Sequence, residues 1–245
     1  MNFIITGANS GIGLEILKIL SKNNDYKFFL ITKKNNNNIK NFSNSKFYKV
    51  DLKDLKKVEK ISRKIIKDSR GKIDVIICNA AQGTFGPVDK VNFKDYQKNL
   101  NTNFISNLIL IKSFLPFMLK KKYGHIINIA SGTGIFGFEN SSSYAFGKSS
   151  MQILMETIYQ ENFKNNIYSK NIFPGLTNTN FFKKNKYLAQ KYKNKSSGKN
   201  KEFIANEIVK KIFSKKLNIF CQFQTRMAFW IKIFPQLNEL KKIIS

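Results

Sequence analysis

Short apolar runs alternate with longer amphipathic segments along most of the chain. Runs of about five to eight apolar residues are typical of strands buried on both faces, and segments with three- and four-residue periodicity are typical of helices. Their regular alternation predicts β-α-β units, a parallel sheet and helices on both faces of that sheet. The predicted strands are Asn2–Thr6, Lys27–Thr32, Lys46–Val50, Val75–Asn79, Gly124–Ala130, Ile167–Phe173 and Leu217–Cys221. The predicted helices are Gly11–Asn23, Leu55–Ser69, Phe93–Leu119, Ser143–Phe163 and Glu202–Phe213.

One departure from this alternation lies between Lys183 and Lys201, where the chain is rich in lysine and has no hydrophobic periodicity. Long loops of this kind in compact domains commonly cover a site. We therefore predict a substrate lid near residues 177–201. The alternative is a solvated, charged insertion.

The C-terminal segment, residues 222–245, is the second departure. Its apolar residues recur at a spacing of three and four: Met227, Trp230, Ile231 and Phe234. Pro235 then ends the run, so the pattern predicts an amphipathic helix. The favoured interpretation is a helix that packs on the core or on another subunit. The alternative is a helix that makes peripheral membrane contact or walls an apolar substrate pocket.

At 245 residues the chain is long enough to bury a core, and we expect one domain spanning residues 1–245. The N-terminus leads at once into a strand and lacks secretory signal features. No apolar run is expected to reach the roughly 18 residues that cross a bilayer. Cys78 and Cys221 lack metal-ligand spacing, so we expect reduced core cysteines, no metal site and a cytoplasmic protein.

The net charge of +28 suggests a polyanionic partner when it is taken alone. Only three of the 43 basic residues are arginines, whereas proteins that read phosphates and bases favour the two-pronged arginine side chain. The lysines are spread along the chain together with 30 asparagines, a composition that an AT-rich coding sequence produces. We therefore expect no nucleic-acid partner.

The turn between the first strand and the first helix contains Gly7, Gly11 and Gly13 in the order G-x-x-x-G-x-G. Glycine permits positive φ and a close approach of backbone to ligand. The helix that follows presents free N–H groups and a positive dipole end to a pyrophosphate. At the first β-α junction, this turn predicts a dinucleotide site.

The residue at the end of the second strand determines whether NAD or NADP binds, because NAD sites place an acidic residue there that hydrogen-bonds the ribose 2′-hydroxyl. Here Thr32 is followed by Lys33 and Lys34. No carboxylate repels a 2′-phosphate and two ammonium groups attract it, so NADP(H) is favoured over NAD(H). Asp51, after the third strand, is expected to accept a hydrogen bond from the adenine amino group or to cap the next turn.

A second group of residues indicates acid-base chemistry at the end of the fifth strand. Ser131 follows that strand, and Tyr144 and Lys148 lie four residues apart on the next helix, so both side chains face one pocket. The ammonium group is expected to lower the pKa of the phenol and make it a general acid or base near working pH. His125, the only histidine, begins a strand and is expected to be structural.

With these motifs the sequence resembles the short-chain dehydrogenase/reductase family over essentially its whole length. The matching positions are Thr6–Gly13, Asp51, Asn79-Ala80-Ala81, Asn103, Ser131, Tyr144, Lys148, Pro174-Gly175 and Thr179. The resemblance implies a Rossmann-type, doubly wound α/β domain of about seven strands in the order 3-2-1-4-5-6-7. It also implies reversible hydride transfer between NAD(P)(H) and a small-molecule carbonyl compound or alcohol.

The resemblance further implies a role for each matching residue. Tyr144 would transfer the proton, Ser131 would orient the carbonyl, Lys148 would also bind the nicotinamide ribose, and Asn103 would hold a relay water. The implied catalytic set is Asn103, Ser131, Tyr144 and Lys148. The expected cofactor contacts are Gly7, Asn9, Ser10, Gly11, Ile12, Gly13, Lys33, Asp51, Leu52, Asn79, Ala80, Tyr144, Lys148, Pro174, Gly175, Thr177 and Thr179.

The last strand does not lead into the Asp-Gly-Gly turn of many family members. Aromatic residues in the site loops favour a ring-containing or lipid-like ketone: Phe136, Phe138, Phe181 and Phe182. Two alternatives are a catalytically silent protein that senses a dinucleotide or acts as a scaffold, and a nucleotide-sugar epimerase, for which the chain lacks an added domain. The long helices predict a homodimer or homotetramer.

Overall fold

The computed structural model describes residues 1–34, 42–179, 181 and 198–233, apart from the side chains of residues 228 and 232. Only parts of the predicted lid and of the C-terminal segment are therefore described: residues 177–179, 181, 198–201 and 222–233. Phe182, Phe234 and Pro235 lie outside the described residues.

Among the described residues, seven parallel strands form the main sheet: β1 (Asn2–Thr6), β2 (Lys27–Thr32), β3 (Ser45–Lys49), β4 (Val75–Cys78), β5 (Gly124–Ile129), β6 (Ile167–Phe173) and β9 (Asn218–Phe220). Their order is β3-β2-β1-β4-β5-β6-β9, which confirms the predicted order with β9 as its seventh strand. β1 pairs with β2 on one side and with β4 on the other, so the winding reverses here. Doubly wound sheets bind ligands at the carboxyl ends of the strands beside this point.

Helices cover both faces of the sheet, as predicted: α1 (Gly11–Leu20), α2 (Leu55–Ser69), α3 (Phe93–Leu100), α4 (Ser106–Lys121), α5 (Ser142–Asn162), α6 (Lys201–Val209) and α7 (Phe223–Ile233). On one face, Leu17 of α1 and Ile208 of α6 belong to one buried cluster. On the other face, Ile65 of α2, Phe114 of α4 and Met151 of α5 belong to a second. Two short strands that the sequence does not predict, β7 (Thr177–Asn178) and β8 (Lys199–Asn200), pair in parallel where the predicted lid begins and ends.

The single helix predicted over residues 93–119 is divided in the structure. α3 ends at Leu100, a π-helical turn spans Asn101–Ile105, and α4 begins at Ser106. A π turn widens a helix locally and is frequent at functional sites. Hydrophobic periodicity does not reveal it, because the turn contains a polar run that includes Asn103. The other element ends differ from the predicted ones by one to four residues where they differ.

The stretch Phe93–Lys121 corrects the expectation that no apolar run is long enough to cross a bilayer. Within the described part of the chain it is the one stretch, 29 residues long and with an 18-residue window of mean hydropathy 1.3, that meets the length and composition of a spanning helix. Its apolar side chains Leu110, Ile111, Phe114 and Met118 are buried in the cluster under the sheet. Since this packing accounts for its composition, we interpret it as a core helix.

Candidate active site

The glycine turn between β1 and α1 is pressed against the end of β4. Gly7 and Gly11 have φ values of +69° and +56°, a region that other residues rarely adopt. A Cβ atom added to Gly7 would lie 2.9 Å from Ala80 Cα, and one added to Gly13 would lie 2.6 Å from the carbonyl oxygen of Gly7. Backbone conformation or lack of space therefore requires glycine at all three positions.

Asn79 ties this turn to the carboxyl end of β4. Its Nδ2 atom donates to the carbonyl oxygens of Thr6 at 3.0 Å and Gly7 at 3.2 Å. The Thr6 hydroxyl accepts from the backbone N–H groups of Asn79 and Ala80, both at 3.0 Å. The predicted cofactor residues at the ends of β1 and β4 are thus held in one hydrogen-bonded unit.

The N-terminus of α1 fits the pyrophosphate of a dinucleotide. Ser10 precedes the helix in an extended conformation, and its side chain caps no backbone N–H group. The first turn, which contains Ile12 and Gly13, therefore keeps its N–H donors and positive dipole end for an anion. Asn9 donates from Nδ2 to the carbonyl oxygen of Lys34 at 3.4 Å, which joins this turn to the end of β2.

Lys33 and Asp51, both predicted to contact the adenosine half of the cofactor, form an ion pair. Lys33 Nζ lies 3.0 Å and Lys53 Nζ lies 3.6 Å from Asp51 Oδ2. Burial raises the pKa of Asp51, but the two ammonium groups outweigh that effect and hold the pKa below its usual value. Two cations face one carboxylate, so this edge stays positive. Leu52, the next residue, is buried.

Tyr144 and Lys148 lie one turn apart on α5 and project to the same place, as their spacing predicts. The Lys148 ammonium lies 5.8 Å from the centre of the Tyr144 ring and donates to the carbonyl oxygen of Ile129 at 2.7 Å. Tyr144 is 6% and Lys148 4% exposed. The pair thus meets the carboxyl end of β5 in a desolvated position.

Burial dominates the ionisation of both side chains. It raises the pKa of Tyr144 above the usual phenol value, and the nearby Ser131 hydroxyl opposes this only in part. It lowers the pKa of Lys148 to about 8, against a smaller opposite effect of Cys78. The expected lowering of the Tyr144 pKa is therefore wrong for this arrangement, because residue spacing does not reveal how completely both groups are removed from water.

Ser131 is held by two residues that sequence reasoning missed. Its hydroxyl lies 2.8 Å from the Thr133 hydroxyl and accepts from the Thr133 backbone N–H at 3.3 Å. Gln152 donates from Nε2 to the Ser131 carbonyl oxygen at 3.1 Å. Gln152 lies four residues after Lys148, so the face of α5 that carries the Tyr144/Lys148 pair was the available signal.

Asn103, in the π turn, is clamped to the segment that follows β4. Its Oδ1 atom accepts from the Gln82 backbone N–H, and its Nδ2 atom donates to the Gln82 carbonyl oxygen, both at 2.8 Å. A Cβ atom added to Gly147 would lie 2.7 Å from Asn103 Cβ. The π turn therefore contacts α5 directly beside Lys148, and no sequence signal pointed to Gln82.

Two phenylalanine rings surround Tyr144. The Phe85 ring centre lies 5.3 Å and the Phe181 ring centre 5.4 Å from that of Tyr144, and the two phenylalanines lie 6.3 Å from each other. Phe181 belongs to the predicted aromatic loops, whereas Phe85 was not predicted. Phe136 and Phe138 lie in another aromatic group, in which Phe136 packs against the cluster of Phe173.

The segment after β6 approaches the glycine turn. Gly175 has a φ of +76°, and Thr177 donates from its hydroxyl to the Gly175 carbonyl oxygen at 3.1 Å. Gln222, which sequence reasoning missed, donates to the carbonyl oxygens of Pro174 and Leu176 at 2.8 and 2.9 Å. A Cβ atom on Gly11 would lie 3.9 Å from a methyl carbon of Thr179, so this segment meets the first helix turn.

His125 lies at the opposite end of β5 from Ser131. It is 3% exposed, and its Nδ1 atom lies 3.0 Å from Lys170 Nζ, which also donates to the Ile212 carbonyl oxygen at 2.6 Å. All the predicted site residues, by contrast, lie at or beyond the carboxyl ends of their strands or on α5 and the π turn. Fold and site thus define a dinucleotide-binding α/β protein.

Comparison with known proteins gives the family. The model of the family described as short chain dehydrogenase matches residues 2–188. The chain therefore belongs to the short-chain dehydrogenase family, whose members are oxidoreductases, and the resemblance seen in the sequence is confirmed.

Curated relatives share about 30% of the aligned residues. The chain is 31% identical over 149 residues to Dehydrogenase RED2 of Cochliobolus heterostrophus, which covers 60% of this chain and 56% of the relative. It is 29% identical over 175 residues to 3-oxoacyl-[acyl-carrier-protein] reductase FabG of Rickettsia prowazekii, covering 71% of each. It is 29% identical over 178 residues to 3-ketodihydrosphingosine reductase of Bacteroides thetaiotaomicron, covering 73% of this chain and 64% of the relative.

Solved structures share the fold. A short-chain dehydrogenase from Streptomyces avermitilis matches with a TM-score of 0.83 at 17% identity, covering 99% of this chain and 96% of the other. A short-chain dehydrogenase from Sphingobium yanoikuyae in complex with NADPH matches with a TM-score of 0.82 at 17% identity, covering 100% and 96%. At 17% identity these matches show that the folds are alike.

Proposed function

We propose that this protein is an NAD(P)(H)-dependent oxidoreductase that interconverts a ketone or aldehyde and the corresponding alcohol, with Tyr144 as general acid and base. One observation carries the proposal. Tyr144 is buried beside the Lys148 ammonium, and the Ser131 hydroxyl is near enough to lower the pKa of its phenol, at the carboxyl edge of the sheet where the glycine turn fits a dinucleotide. Two hydroxyls on one oxygen of a substrate are what carbonyl reduction requires.

A bound nicotinamide supplies or accepts the hydride. In reduction, Ser131 donates a hydrogen bond to the carbonyl oxygen while Tyr144 protonates the alkoxide that develops. Burial supports this role, because a raised pKa keeps Tyr144 in the protonated form that donates. Oxidation of the alcohol reverses the same proton transfer.

Lys148 and Asn103 assist the proton transfer by Tyr144. Among the described residues Lys148 donates one hydrogen bond, to the Ile129 carbonyl oxygen. The ammonium carries three donors, so others can bind a ribose hydroxyl and a water. Both polar atoms of the Asn103 amide are bound to Gln82. The main-chain carbonyl oxygen of Asn103 accepts from Asn107 Nδ2 at 3.0 Å, and its second lone pair is where this residue would hold the relay water.

We propose NADP(H) as the preferred cofactor. The support is the pair of lysines after β2, where NAD-specific sites carry an acid, and the excess of positive charge over Asp51. Bound NADPH in the Sphingobium protein belongs to that protein and agrees with this preference.

For the substrate we propose a ring-containing or lipid-like ketone or alcohol. Phe85 and Phe181 form an apolar wall around Tyr144, and an apolar wall favours such groups. The name of the Bacteroides relative designates a lipid ketone, and retinol dehydrogenase 8 of Homo sapiens, 31% identical over 121 residues, is named for a ring-containing alcohol.

The test is a panel of carbonyl compounds with NADPH and NADH, followed at the nicotinamide absorbance, with ring-containing and long-chain ketones beside small polar ones. We expect turnover of apolar ketones with NADPH. Tight NADPH binding without turnover of any carbonyl or alcohol would contradict the proposal and favour the catalytically silent dinucleotide sensor.

A further inference from the structure

α7 packs against the protein mainly through apolar side chains. Ile231 is 1% exposed. The ring of Phe229 lies 5.3 Å from that of Phe220 in β9 and 6.5 Å from that of Phe173 in β6. These contacts hold the inner side of the helix against the edge of the sheet.

The outer side of α7 is apolar as well. Phe223 is 70%, Trp230 42% and Ile233 49% exposed, and with the exposed Arg226 they recur at a spacing of three and four residues, which places them on one face. A helix on the surface of a protein in water normally carries charged residues on this face. Phenylalanine, tryptophan and isoleucine beside an arginine are residue types that interfacial helices place against lipid.

The charge of this region selects the partner. Residues 208–238 contain no aspartate or glutamate and six basic residues: Lys210, Lys211, Lys215, Lys216, Arg226 and Lys232. Two of the six, Lys210 and Lys211, pair with Glu207. The whole chain carries a net charge of +28, so a second copy of this chain would bring repulsion to the contact. An anionic lipid surface offers both an apolar layer and a negative charge.

We propose that α7 docks on the surface of an anionic lipid bilayer, with Phe223, Trp230 and Ile233 in the interface and Arg226 at the headgroups. The proposal is independent of the reaction that the active site performs. It concerns contact with one leaflet, through a helix of eleven residues, and not a spanning segment.

The chain contains a single tryptophan, Trp230, so its intrinsic emission reports on this face. Phosphatidylcholine vesicles with and without phosphatidylserine are titrated into the full-length protein. With phosphatidylserine we expect a blue shift of the emission, quenching by bromine-labelled acyl chains, and weaker binding as salt screens the charges. Without phosphatidylserine we expect a much smaller response.

The variant Phe223→Ser, Ile233→Ser leaves the charge unchanged and removes two exposed side chains, so the fold is expected to persist, as circular dichroism will check. Its vesicle affinity should fall about tenfold or more for each side chain, the order of magnitude of transferring one such group out of water. The matched control is Phe93→Ser on α3, whose side chain is 74% exposed and which should bind like the unaltered protein.

Two results would overturn the proposal. Equal vesicle binding by the double variant, with no response of Trp230, would mean that the positive charge alone binds lipid. An emission that is already blue-shifted without lipid, and that does not change when vesicles are added, would mean that a second copy or the chain's own residues 234–245 cover the face. Sedimentation of the protein over a range of concentrations distinguishes these last two.

Discussion

Gly147→Ala tests how closely activity depends on the contact between α5 and the π turn. The added Cβ atom would lie 2.7 Å from Asn103 Cβ, whereas ordinary contacts start at 3.4 Å, so one element has to move by about 0.7 Å, the difference of the two. Asn103 is held by two hydrogen bonds to Gln82. The shift should therefore fall on α5, which carries Tyr144 and Lys148.

The effect expected on stability is smaller than the effect expected on the reaction rate. Overpacking costs about 1–3 kcal/mol, and replacing a helical glycine by alanine returns about 1 kcal/mol, so the free energy of unfolding should fall by no more than about 2 kcal/mol. A displacement of roughly 1 Å at reacting groups costs on the order of 100-fold in rate.

The assay compares kcat on the best substrate of the panel with a urea unfolding curve for the same sample. Gly137→Ala is the matched control, because an added Cβ atom there meets nothing within 4 Å, and it should leave both quantities nearly unchanged. Full activity of Gly147→Ala would refute the argument that this contact positions the Tyr144/Lys148 pair.

Two further predictions concern charge. Lys33→Glu should lower the binding affinity for NADPH relative to that for NADH by about tenfold or more, because a carboxylate then faces the 2′-phosphate. Lys64→Glu makes the same change of charge on α2 and should leave this ratio of affinities unchanged. Fluorescence titrations with both cofactors measure it. Burial lowers the pKa of Lys170 from 10.5 to about 7. Unfolding therefore takes up a proton between about pH 7 and pH 10, and the free energy of unfolding should gain up to about 1.4 kcal/mol per pH unit from this group. Urea curves for Lys170→Met should lack that increment, and a difference between the two proteins that stays constant with pH would contradict it.

The sequence predicts the sheet well because strand and helix patterns depend on local periodicity. β1 and β2 have the predicted bounds because each contains a continuous apolar run, and β6 has them because apolar residues stand at both of its ends, although its centre, Ser169–Asn171, is polar. The π turn at Asn101–Ile105 was missed because it depends on contacts with Gln82 and α5, which are distant in the chain. The single-domain organisation, the cytoplasmic location and the homodimer or homotetramer stay predictions.

The site is predictable in its residue types and less so in its electrostatics. The spacing of Tyr144 and Lys148 gives their common face, but the sign of the Tyr144 pKa shift depends on burial that only the packing of Phe85 and Phe181 reveals. Gln152 and Gln222 were missed for a similar reason. Glutamine at a helix position has no distinctive chemistry until its hydrogen-bond partners are known.

The central claim is that Tyr144 transfers the proton, and Tyr144→Phe tests it most directly. The substitution removes the hydroxyl and keeps the ring that contacts Phe85 and Phe181, so the fold and the affinity for NADPH should persist. Single-turnover oxidation of bound NADPH by a ketone should slow by about 100-fold or more. An unchanged rate with unchanged NADPH affinity would contradict the account.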